Sequence, residues 1–247
     1  MRILVLVKET FDTEAKIVLE DPATISTKDI KYIINPYDEF AIEEALRIRE
    51  KFGGEIILYS VGRKESENTI RNGLALGADE GKIIISLSKE SIIISSLLAS
   101  AIAHEKYDLI LSGWIAIDDN NAQVPARISQ LLGIPLINTV KKLEINDNRI
   151  ICQRENDENL EIIEAGLPAI IAVQRGINEP RYPTVKNILE AKKKKVEFIT
   201  NDYQENWQAA VTYQLPYSQR EGFTIDGSEP QKAVHILVDR LKKAKVL

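Results

Sequence analysis

Four short, uniformly apolar runs restrict the fold more than any other feature: Ile3 to Val7, Glu55 to Ser60, Lys82 to Ser86 and Asp108 to Ser112. A strand with one wet face alternates apolar and polar residues. A run that is apolar throughout belongs in a sheet covered on both sides, as parallel strands are. Helical patterns lie between the runs: Asp38 to Phe52, with Ala41, Ala45, Ile48 and Phe52 on one stripe; Glu65 to Leu76; and Glu90 to His104, apolar on nearly every face. Strands alternating with helices predict an α/β, doubly wound parallel sheet. Gly53-Gly54 and Gly77 stand where the first two helices should end.

The character changes after Leu132. Val140 to Asn146, Arg149 to Glu155 and Asn159 to Glu164 alternate and are joined by Asn- and Asp-rich turns, which predicts a small antiparallel meander. Ala169 to Val173 is apolar enough to return to the main sheet. From Gly176 the regular pattern is expected to lapse, so residues 1–176 read as one α/β domain and 177–247 as a loop with a C-terminal arm. The loop, NEPRYPTVKNILEAKKKK from Asn178 to Lys195, cannot bury a core of its own. Pro180 and Pro183 remove amide donors and favour extended neighbours, which should hold Arg181 and Tyr182 outward, with a helical turn following. It reads as an arm for another protein, the plain alternative being a surface loop with a solvated basic turn. The arm ends in Glu229 to Leu247, where Val234, Leu237, Val238 and Leu241 form a stripe that can cover this chain's own core or a second subunit.

A net charge of -5 argues against a nucleic-acid partner, since phosphate recognition draws on basic surface and the one dense basic run is Lys192 to Lys195. A single cysteine, Cys152, excludes an intrachain disulfide and a thiolate metal site and suits a reducing, cytoplasmic setting. No stretch of about 20 apolar residues is present, so membrane insertion is not expected.

Ligands of parallel sheets sit beyond the carboxyl ends of the strands. Three such ends are expected to converge: Lys8 after the first run, Val61-Gly62 after the second, and Gly113 after the fourth, with Asn35-Pro36-Tyr37-Asp38 opening a helix beside them. Gly113 should let a ligand approach the backbone. Asp118 and Asp119 would repel a phosphate, so they are assigned to ribose hydroxyls, loop bonds or capping, with Asn120, Asn121 and Gln123 as neutral contacts. The fold is thus expected to be Rossmann-like, of the adenine nucleotide-binding type, although GxGxxG and GxxxxGK[ST] are missing. His104 and His235 read as structural, and no set of catalytic residues emerges.

Five blocks in order, RILVLVKETFDTEAKI, NPYDEFAIEEALRIRE, ALGAD, GWIAIDDNNAQV and QREN...LP with NEPRYP...AKKKK, closely resemble the beta subunit of electron transfer flavoproteins over nearly the whole chain. The resemblance implies a non-enzymatic electron carrier in which an alpha subunit carries FAD and this chain holds AMP. AMP would meet Leu6, Asn35, Pro36, Tyr37, Asp38, Val61 and the loop Gly113, Trp114, Ile115, Ala116, Ile117, Asp118, Asp119, Asn120, Asn121, Ala122, Gln123 and Val124. Thr13 would approach the flavin, and Glu155 would engage the partner's flavin-bearing domain. The segment Arg181 to Lys195, with Arg181, Tyr182, Val185, Ile188 and Lys192, would dock acyl-CoA dehydrogenase-type flavoenzymes, as in fatty acid oxidation. Val185 replaces a leucine common in the family, Glu190 takes a position often basic, and Ala122 and Val124 replace polar residues near the phosphate. Two alternatives stay open: a bifurcating member with a second FAD oxidising NADH, disfavoured by the bulk of Asp119-Asn120-Asn121, and an ATP-binding module of the universal-stress type.

Overall fold

The computed structural model describes residues 1–28, 30–156, 159–200, 212–215 and 222–247. In chain order these form β1 (Arg2–Leu6), β2 (Glu9–Phe11), β3 (Leu19–Asp21), β4 (Thr24–Ile25), β5 (Tyr32–Ile34), α1 (Pro36–Phe52), β6 (Glu55–Gly62), α2 (Glu67–Leu76), β7 (Glu80–Ile85) and α3 (Ser91–Ile102). There follow β8 (Leu109–Gly113), α4 (Val124–Leu132), β9 (Leu136–Asn146), β10 (Arg149–Glu155), β11 (Leu160–Gly166), β12 (Ala169–Val173), α5 (Val185–Ala191), β13 (Val196–Ile199) and α6 (Pro230–Lys243). They divide into two compact units, Met1–Val18 with Ser26–Ala210, and Leu19–Ile25 with Val211–Leu247.

The first unit is a doubly wound α/β fold around a nine-stranded sheet, ordered β11-β10-β9-β12-β8-β1-β6-β7-β13. Strands β9, β12, β8, β1, β6, β7 and β13 run parallel, and β10 and β11 are antiparallel. Both faces of the parallel part are dry, which explains the uniformly apolar runs. Ile3, Val5 and Val7 point into the layer shared with Ala41, Ile42 and Leu46 of α1 and Ile70 and Leu74 of α2. Leu4 and Leu6 point into the layer shared with Ile93 and Leu97 of α3 and Ile128 of α4. Each such side chain contributes about 1.5–3 kcal/mol by leaving water, and β8 and β12 likewise supply both layers.

From β1 the chain winds outward through β6 and β7, then returns to β1's other side at β8 and continues through β12. The winding therefore reverses between β1 and β8, which opens a crevice beyond their carboxyl ends. The meander is an extension of the same sheet. The first part of β9 runs parallel to β12 and the rest antiparallel to β10; between them Thr139, at φ 58°, is the extra residue of a bulge that shifts the register.

Between Val185 and Ile199 the chain is more regular than the sequence suggested, while the described residues 177–184, 212–215 and 222–229 hold no helix or strand. Helix α5 packs on α2, and β13 joins the sheet parallel to β7. Elements of 7 and 4 residues are too short to show a period. The Lys run between them is only partly solvated: the Lys194 ammonium donates to the carbonyls of Leu74 and Ala78 at 3.0 and 2.6 Å, closing the end of α2, and burial lowers its pKa. In the second unit β3 and β4 pair antiparallel, Tyr213 N–H donates to the Pro22 carbonyl, and the Arg240 guanidinium lies 3.4 Å from the centre of the Phe223 ring. No residue of α6 is buried. Among the described residues no helix is long and apolar enough to cross a membrane.

Candidate functional site

The crevice is organised by Asp38. Pro36 starts α1 with φ fixed and no amide to satisfy, while Asn35 before it spends its side chain across the crevice instead of capping the helix. The wholly buried Asp38 carboxylate accepts from Lys8 N–H at 2.7 Å, from the Asn35 side-chain amide at 3.0 Å and from Gly113 N–H at 3.0 Å. One side chain thus ties the ends of β1 and β8 to the start of α1. The sequence placed Asp38 in the segment that opens a helix; the structure makes it a clasp between strand ends. Burial raises its pKa to about 7, against the opposing pull of the three donors.

Asn35 extends the clasp to the covering loop, donating to the Ile115 carbonyl at 2.9 Å and accepting from Ile117 N–H at 3.3 Å. Farther out, Lys8 Nζ reaches Asp118 at 2.7 Å and Asp119 at 2.9 Å. Burial pulls the Lys8 pKa down, and the two carboxylates outweigh it, so the ammonium ends above its ordinary value. Sequence reasoning placed Lys8 at a converging strand end but gave its side chain no role; a lysine directly after the strand at the point of reversal was the available signal. The loop continues through Asn120 and Ala122, both at positive φ, and Asn121 donates to Ser91 Oγ at 2.7 Å, joining the loop to α3. Leu6, Val61 and Val124 share one apolar cluster beneath it.

Gly113 is present for a reason other than the one expected. A Cβ there would lie 2.5 Å from Asp38 Oδ1 and 2.6 Å from Tyr37 Cβ, so the space is taken by the start of α1 and not by a ligand. Tyr37 in turn packs edge-on against Trp114, with ring centres 5.9 Å apart.

The crevice offers polar groups that the chain leaves unspent. Among the described residues Ser112 Oγ and Trp114 Nε1, on either side of Gly113, are buried with no protein partner. At the loop's end α4 begins at Val124, and the N–H groups of its first turn, Pro125 having none, lack an acceptor within the helix. Arg127, one turn in, donates to Gln123 Oε1 at 3.0 and 2.8 Å, a neutral acceptor, and among the described residues no carboxylate pairs with it. Sequence reasoning missed Arg127 as well. It supplies a cation where Ala122 and Val124 lack polar groups.

The other predicted residues lie apart from the crevice. Thr13 is exposed in the turn after β2, and Glu155, at the end of β10, pairs with Lys141 of β9. In the arm, Tyr182 is 93% exposed, and Val185, Ile188 and Leu189 make an uncovered apolar face on α5. Lys192 caps the helix end. Arg181 departs from expectation: its guanidinium turns back onto α1, pairing with Glu43 at 2.8 Å and Glu50 at 2.7 Å.

An open sheet whose winding reverses beside a loop-covered polar crevice defines a doubly wound α/β protein. Comparison narrows this. The Electron transfer flavoprotein domain matches residues 23–202. The chain is 38% identical over 244 residues to the electron transfer flavoprotein subunit beta of Syntrophomonas wolfei, covering 98% of this chain and 96% of that protein. It is 37% identical over 259 residues to the subunit beta of Bacillus subtilis, covering all of both, and 37% over 206 residues to that of Bos taurus, covering 81% of each. The chain belongs to the electron transfer flavoprotein beta-subunit family.

Proposed function

We propose that this chain is the AMP-binding subunit of a heterodimeric electron carrier. An alpha subunit holds the FAD, and the arm around α5 docks acyl-CoA dehydrogenase-type flavoenzymes. The observation that carries the reading is the crevice at the reversal point, where Asp38 fixes both strand ends while Arg127 and the first amides of α4 keep a positive, unspent anion site. In this reading Asn35 to Asp38 position the loop, Lys8 and Asn121 N–H hold both oxygens of Asp119 while the second oxygen of Asp118 suits a ribose hydroxyl, and Ser112 and Trp114 offer neutral contacts. The flavin of the partner supplies the electron-carrying chemistry. Thr13 and Glu155 are assigned to the flavin side of the subunit interface, and the uncovered stripe of α6 to the partner subunit.

Weighing the nucleotides released when the co-expressed pair is denatured tests this. One FAD and one AMP per pair are expected. Two FAD and no AMP would overturn the AMP assignment and favour a bifurcating member. The loop from Asp119 to Ala122 speaks for AMP, since Asp119 is tied to Lys8 and Asn120 and Ala122 already occupy left-handed conformations, which leaves the loop little freedom to admit a larger dinucleotide.

A further inference from the structure

We infer that Arg181 is a positioning residue that fastens the docking arm to α1 and does not itself contact the docked flavoenzyme; the inference rests on the docking role proposed above. All three guanidinium nitrogens are engaged inside the chain. Nε and Nη2 meet the two oxygens of Glu43 at 2.8 and 2.9 Å, and Nη1 meets Glu50 at 2.7 Å. The Arg181 backbone N–H also donates to Glu43 at 3.2 Å. Glu43 and Glu50 are seven residues apart, two turns of α1, so both carboxylates face the same strip of the arm. Glu43 is 5% exposed and cannot reach a partner, whereas Glu50 is 55% exposed. Three residues earlier, Asn178 donates to the Phe40 carbonyl at 3.0 Å and to Glu44 at 2.9 Å. Farther along, Arg71 of α2 donates to the Ala191 carbonyl at 2.6 Å.

The arm is therefore pinned at both ends, with Tyr182 and the apolar face of α5 presented between the pins. With Arg47 also on Glu43, two guanidinium groups share the two carboxylates, and Arg181 offers a partner no unpaired cation. What it gives the partner is an arm already ordered, so that docking is spared part of the cost of ordering it. A bidentate fork needs arginine, and a lysine could not reproduce it.

The test compares Arg181→Gln, Glu43→Gln, their double variant and Glu50→Gln in the co-expressed pair. Deuterium exchange of residues 178–191 is read without any donor, and the donor KM and kcat are read separately. Arg181→Gln and Glu43→Gln should each speed exchange about tenfold, because each removes the bidentate pair between the partly exposed guanidinium and the buried carboxylate. The double variant should stay within about twofold of Arg181→Gln, which already removes the pairs with both Glu43 and Glu50. The donor KM should rise with kcat unchanged. Glu50→Gln, at an exposed position that folding does not depend on, should speed exchange about two- to threefold. Wild-type exchange in Glu43→Gln, or multiplying effects in the double variant, would overturn the inference. Should Glu43→Gln fail to fold, wild-type exchange in Glu50→Gln would overturn it instead. A failure of the docking role would show elsewhere, as donor kinetics unaffected by changes on the exposed face of α5.

Discussion

The crevice and the docking arm are built on opposite principles. In the crevice, polar side chains from elements distant in sequence satisfy one another: Asp38 holds β1 and β8, Asn35 holds the covering loop, and Lys8 holds Asp118 and Asp119. In the arm Asn178 and Arg181 are spent on fastening, and what faces outward, among charged residues such as Lys186, includes an apolar face, with Val185 77% and Leu189 57% exposed. A clasp of mutually satisfied groups fixes a shape before any ligand arrives, whereas an uncovered apolar face gains only when something covers it. Damage to the first should appear in the isolated subunit pair, and damage to the second only when a donor is added.

The harshest way to break this contrast is at Gly113. A methyl group there meets the Asp38 carboxylate and the Tyr37 backbone, neither of which is the far end of a flexible side chain, so Gly113→Ala must push α1 from the strand ends. The expected loss is about 1–3 kcal/mol from overpacking, seen as a lower urea midpoint, together with loss of bound AMP. Unchanged stability with AMP retained would show that α1 can retreat without cost.

The arm gives the converse result. Val185→Asp places a charge on the exposed face of α5 and should leave melting and nucleotide content at wild-type values. Electron transfer from the donor should slow about tenfold, the loss typical of removing an interface anchor. An unaltered donor rate would move the docking surface elsewhere.

How far each region could be read from sequence follows from the same contrast. The uniformly apolar runs, the return of Ala169 to Val173 to the sheet and the meander were legible because burial on two faces or one leaves a periodic trace. The crevice was legible as a place, since strand ends and helix starts are marked in the sequence, but not as a set of bonds. Gly113 looked like an opening because its occupant, Tyr37, lies far upstream, and nothing local in NPYD tells that Asp38 turns away from its own helix. Arg181 was misread for the same reason: its carboxylate partners sit 138 and 131 residues earlier, on a helix whose acidic face looks solvated when read alone. Strand β13 follows four lysines, and only the carbonyls at the end of α2 explain why one of those lysines is turned inward.

The smallest effect sharpens the comparison by pH, because the clasp contains a titrating group and the arm's apolar face does not. Burial lifts the Asp38 pKa from 3.8 to about 7, so between those values the folded chain keeps a proton that the unfolded chain has released. Stability from this group therefore falls as pH rises through that window and is level above it. Asp38→Asn cannot titrate, and it turns one oxygen that now accepts into a donor, so it should be less stable than the wild type in acid. As pH is raised from about 5 to 8 the wild type should lose ground to the variant, read as converging urea midpoints, while the difference between wild type and Val185→Asp stays flat. A gap between wild type and Asp38→Asn that widens toward pH 8 would mean that the three N–H donors, and not burial, set the charge of the carboxylate, and the crevice would then be held by an ionised clasp.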